Sequence, residues 1–142
     1  MRRAPRLLTL AILGVVVWVV PVSSGQGAVR LSSMVSPKLV GSWTRTVSAA
    51  EARHAAAPAT LAGSVWTLEI EKDGTAATFD SKGAGSFEGT ISAAGPSLVR
   101  LKLGTPPATY RWHIANQRLT FTKVADTVRD RIAVFVGTWK RK

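Results

Sequence analysis

The residues able to do chemistry are few and scattered. The chain has no cysteine, so neither a thiolate nucleophile nor a disulfide is available. Its two histidines, His54 and His113, lie far apart, with no acid and serine spaced to build a triad around either. Two such distant imidazoles do not make a metal set by spacing. Glu69 and Glu71 would share one face of a strand, as an acid pair must, but Lys72 beside them makes a solvated outer face the plainer reading. Lys82-Gly83-Ala84-Gly85 has turn chemistry and lacks the strand-to-helix context of a phosphate cradle. Arg45 remains. It follows Trp43 by two residues, and strand alternation sends both side chains the same way. An arginine turned into an apolar interior needs a partner. That partner is an anionic ligand head group, an aromatic face or water at an open mouth. These residues predict a binding protein without metal or cofactor, and not an enzyme.

The elements that position Trp43 and Arg45 read as short strands. Leu39 to Val47 is the first, centred on Trp43. Ser48-Ala49-Ala50-Glu51 is a capping box, so one short helix follows through Ala57, stopped by Pro58. From there the apolar period is two, the signature of half-buried strands. Trp66, Leu68 and Ile70 share a face in 65–71, and Lys72-Asp73-Gly74 turns the chain into 75–81, which carries Phe79. Strands over 86–92, with Phe87, and 97–103 follow. Those over 108–114, with Tyr110 and Trp112, and 118–124, with Phe121, come next. Residues 125–131 read as a polar connection, and 132–140 as a last strand with two apolar faces.

Eight strands joined mainly by short turns predict an all-β fold, an eight-stranded antiparallel up-and-down barrel. Gly41-Ser42-Trp43 opens the first strand and Gly137-Thr138-Trp139 lies on the last, so pairing of these two closes the sheet. A barrel of eight strands is either filled by its own side chains or holds one small ligand. Arg45, Trp66, Phe79, Phe87, Tyr110, Trp112 and Phe121 are the candidate ligand-binding residues, beside small ones such as Ala77, Gly89 and Ala108.

The front of the chain reads as an address. Arg2, Arg3 and Arg6 precede an apolar run from Leu7 to Val20, and small residues follow Pro21. This is the order of a secretory signal. The run is short of the roughly 20 residues a spanning helix needs, although an uncleaved N-terminal anchor is the alternative. The expected organisation is a signal peptide at 1–28, a flexible lead-in at 29–38 and the barrel domain at 39–142. The expected product is soluble and secreted or extracytoplasmic, with membrane contact only through the signal segment. A formal charge of +11 could favour anionic surfaces. The basic residues are spread along the strands without the aromatic ladder of a single-strand binder, so no specific nucleic acid is expected.

Taken in order, Gly41/Trp43/Arg45, Lys72-Asp73-Gly74, Tyr110/Trp112, Asp126/Arg131 and Gly137/Trp139 make the chain resemble the lipocalin or calycin superfamily. The resemblance is nearest to small exported bacterial lipocalin-like domain proteins, over about residues 39–142. It implies that the first-strand tryptophan packs across the closed end of the barrel, covered by a basic residue from late in the chain. Arg131 is the best positional match and Lys140 the second. Gly41, Trp43, Arg131, Gly137 and Trp139 are thus the expected closure residues. Trp43→Ala is expected to cost more stability than Trp139→Ala. The animal lipocalins' long C-terminal helix and their Thr-Asp turn are missing. So are two cysteines that relatives often carry before the Tyr-x-Trp strand and in the Asp-to-Arg connection, which predicts a mobile connection here.

The function this implies is binding of a small hydrophobic or amphiphilic molecule inside the barrel. The alternatives are a secreted protein-binding barrel such as a protease inhibitor, with a protein partner, and a purely structural packed barrel.

Overall fold

The computed structural model describes residues 34–83 and 85–142. The expected signal segment lies outside them, as does the lead-in up to residue 33. The chain runs β1 (Gly41–Thr46), α1 (Ala49–His54), a 3-10 turn (Ala59–Leu61), β2 (Val65–Ile70), β3 (Thr75–Asp80), β4 (Ser86–Gly95), β5 (Leu98–Leu103), β6 (Ala108–Ala115), β7 (Arg118–Ala125), α2 (Arg129–Phe135) and β8 (Gly137–Arg141). Each strand pairs antiparallel with the next, and β8 pairs with β1, so the sheet is a closed up-and-down barrel. Closure leaves no free sheet edge. Among the described residues no helix is long and apolar enough to cross a membrane.

Local chemistry sets the joints. At the β2–β3 turn Gly74 takes φ +88°, and the Asp73 carboxylate accepts from the Thr75 amide at 2.8 Å. The capping box at α1 forms in both directions. Ser48 Oγ accepts from the Glu51 amide (3.2 Å), and Glu51 Oε2 accepts from the Ser48 amide (2.7 Å). The helix stops at His54, short of Ala57, because Ala56 turns into the left-handed region at φ +52°.

Three expectations need correction. The expected last strand over 132–140 is a helix followed by a shorter strand. The α2 segment buries Val134 and Phe135 completely, and Phe135 packs against Tyr110, Phe121 and Trp139 with ring centroids 5.9 to 6.0 Å away. Its N-cap is Val128, which has no side-chain cap bond of its own, so this helix is held by burial and by Asp126, which accepts from the Val128 amide at 2.9 Å. Phe79 does not face inward. Trp66, Leu68 and Ile70 pair across the sheet with Asp80, Thr78 and Ala76, so this small or polar set is the inner face of β3. Phe79 stands beside Thr67 on the outside, 38% exposed. Finally, the lead-in is not loose throughout. Val35 is buried in the core, and the Ser36 carbonyl accepts from the amide of Leu39, the first residue of the barrel domain, at 2.9 Å.

The two ends of the barrel differ. β1, β3, β5 and β7 finish at the end that carries α1, the 3-10 turn and α2, here the helix end. Residues 34–40 lie at the other, beside Lys72 of the β2–β3 turn.

Candidate functional site

The seam between β1 and β8 carries the closure residues. Trp43 and Trp139 are both fully buried, and each indole N–H donates to a carbonyl four residues earlier, Leu39 (2.9 Å) and Phe135 (3.2 Å). The arginine two residues after each tryptophan lies over the other's ring. The Arg45 guanidinium carbon is 5.7 Å from the Trp139 centroid, and that of Arg141 is 4.3 Å from the Trp43 centroid. The backbone acceptors match as well. Arg45 Nη1 donates to the Val134 (3.1 Å) and Val136 carbonyls, and Arg141 donates to those of Val40 (3.3 Å) and Lys38 (3.2 Å). Thr44 pairs with Lys140 at the centre of this local two-fold arrangement.

Arg45 is therefore neither at an open mouth nor free for an anionic ligand. It is 6% exposed, and its Nη2 donates to Glu51 Oε1 at 2.6 Å. Burial pushes its pKa down, opposed by the Glu51 charge. Burial also pushes Glu51 up, but the Ser48 cap and the Arg45 charge more than offset it, so Glu51 titrates low.

Arg131 does not cover Trp43. Its fully buried guanidinium donates to Asp126 through Nε (2.8 Å) and Nη2 (2.7 Å), and to the Leu103 and Pro106 carbonyls at 2.7 Å each. The Tyr110 hydroxyl donates to the same carboxylate at 2.5 Å. Burial, then Asp126, pushes the Tyr110 phenol far above its ordinary range. Burial pushes Asp126 up, and Arg131, Tyr110 and the Val128 amide together bring it below the ordinary carboxylate range. Hydrogen bonding to Asp126 raises Arg131. This network ties the Asp-to-Arg connection to β5 and β6 without a disulfide, and its groups are occupied by one another.

An opening lies at the helix end. A cavity of about 330 Å³ lies between the 3-10 turn, the starts of β2 and β4, the end of β3 and the first turn of α2. Trp66 and Phe87 form an aromatic wall, with centroids 6.0 Å apart. The Trp66 indole is oriented by a relay, donating to Ser64 Oγ (2.8 Å), which donates to the Leu61 carbonyl (2.5 Å). Gly85 lies so close that a Cβ there would come within 3.3 Å of the Trp66 ring. Asp80, opposite Trp66 in the sheet, lines the cavity, as do Pro58, Leu61 and Asp130.

Two other cavities lie outside the barrel. One of about 340 Å³ runs between α1 and α2 past His54 and Ile132, and one of about 370 Å³ lies beside Met34 and Lys72.

Of the seven residues expected around a ligand, only Trp66 and Phe87 reach the mouth cavity. Tyr110 and Phe121 fill the interior with Phe135 and Trp139. Trp112 is half-buried against the core, Phe79 is outside, and Arg45 belongs to the seam. Asp80 was missed because an acid on a strand reads as solvent-facing. The available signal was its even spacing from Thr78 and Ala76.

Comparison with protein families, curated proteins and solved structures returns no match.

Proposed function

We propose that this chain is an exported lipocalin-like binding protein whose small amphiphilic ligand sits at the helix-end mouth of the barrel and not deep inside it. The observation that carries this reading is the 330 Å³ cavity walled by Trp66 and Phe87 above a filled interior. Small-molecule sites are concave and largely apolar, with a few placed polar groups, and this volume falls at the small end of their range. The Trp66–Ser64–Leu61 relay fixes the wall before any ligand arrives, which lowers the cost of ordering on binding. Export rests on the basic, then apolar, then small-residue order of the first 28 residues.

Calorimetric titration with small aromatic and short-chain amphiphiles tests the reading. At least one is expected to bind saturably with one site per chain. Failure of all of them, with the protein folded, contradicts it.

A further inference from the structure

We propose that the mouth cavity selects a cationic head group, an ammonium carried on a small apolar or aromatic body. The proposal rests on reading this cavity as a small-molecule site and specifies what that site prefers. Asp80 is 5% exposed, and its Oδ1 is buried with no hydrogen-bond partner. A buried carboxylate that the protein's own donors leave short of partners is unfavourable, and a cation drawn up to Asp80 from the cavity it lines offsets part of that penalty. Ammonium groups are also attracted to the faces of indole and phenyl rings, and Trp66 and Phe87 wall the same cavity.

The charge distribution agrees. The chain has 19 lysines and arginines against 8 acids, yet no described lysine or arginine lines this cavity, whereas Asp80 and Asp130 both do. A strongly basic protein thus has an acidic mouth. The barrel's own arginine with the closest claim on an anion, Arg45, is spent on Glu51, two carbonyls and Trp139. An anionic head group would meet Asp80 and Asp130 with no cation to offset them.

The test uses three probes with one phenylethyl-like body and different heads: phenethylammonium, phenethyl alcohol and phenylacetate, titrated by calorimetry at pH 7. The ammonium is expected to bind about tenfold more tightly than the alcohol, with phenylacetate the weakest. Asp80→Asn keeps the shape and is expected to remove most of the ammonium's advantage over the alcohol, read as the ratio of the two affinities in the same variant. If the alcohol binds but the ammonium has no advantage, or phenylacetate binds best, the cation preference is overturned while the binding site stands. If none of the three binds while other amphiphiles do, the preference is likewise overturned. If no amphiphile binds at all, the site itself fails. The ranking on the unaltered chain decides the matter even where Asp80→Asn does not fold.

Discussion

Arg45 lies over the ring of Trp139, and Arg141 lies over the ring of Trp43. The two contacts are counterparts under one local two-fold relation, which also exchanges Leu39 with Phe135, Gly41 with Gly137 and Val40 with Val136. The sequence carries the same relation as Val-Gly-Ser-Trp-Thr-Arg and Val-Gly-Thr-Trp-Lys-Arg. Each motif closes the barrel for the other. The first tryptophan is therefore not a sole plug with the second merely laid beside it.

Trp43→Ala and Trp139→Ala are accordingly expected to destabilise the barrel by similar amounts, about 3–5 kcal/mol each. Both rings are fully buried and both lose an indole hydrogen bond. Urea midpoints of the two variants check this. A Trp43 loss that exceeds the Trp139 loss by several kcal/mol would restore the single-plug picture.

The symmetry breaks at the glycines. A Cβ on Gly137 would lie 2.7 Å from both Arg45 Nη atoms, and one on Gly41 would lie 2.8 Å from Arg141 Nη1. Both glycines hold positive φ, +127° and +131°, so either alanine is strained by about 1 kcal/mol or more. Arg141 is exposed and can swing aside, whereas Arg45 is pinned by Glu51. Gly137→Ala is expected to lower the melting temperature by several degrees more than Gly41→Ala.

Much of this architecture was legible in the residues. Strand alternation, Gly74 and the Ser48–Glu51 box located β1 to β7 and α1 closely. The α2 helix was not legible, because Ile132 to Val136 reads as a β-branched apolar strand and Val128 supplies no cap. Its helical signal was the spacing of Arg131, Val134 and Phe135 on one buried face. The resemblance points to Arg131, and secondly to Lys140, as the cover for Trp43. The second Gly-x-Trp-x-Arg would have pointed to Arg141 instead. The site was half legible: Trp66 and Phe87 followed from alternation, but an inward aspartate on a strand of alanines and threonines did not.

Asp126 gives a pH signature. Its carboxylate is held below the ordinary range in the folded chain, so the unfolded chain binds the extra proton first as pH falls. Its stabilising contribution is complete above the ordinary carboxylate value of about 4 and is lost as pH drops through the lowered value. Asp126→Asn is expected to lower stability at pH 7, leaving Arg131 buried without its counter-ion, and to flatten the loss of stability below about pH 4. Glu51 is also held low, so some slope remains. Denaturant unfolding between pH 2 and 7 reads both effects. An unchanged acid limb in the variant would show that Asp126 does not carry it.

The most direct test of the mouth as the binding site is tryptophan fluorescence with single replacements. Trp66 walls the cavity, and Trp112 lines none of the three cavities described. On titration with a phenylethyl amphiphile, the unaltered chain and Trp112→Phe are expected to give the same saturable change, with Trp66→Phe losing most of it. A signal that survives Trp66→Phe and disappears in Trp112→Phe would place the ligand elsewhere and contradict the account.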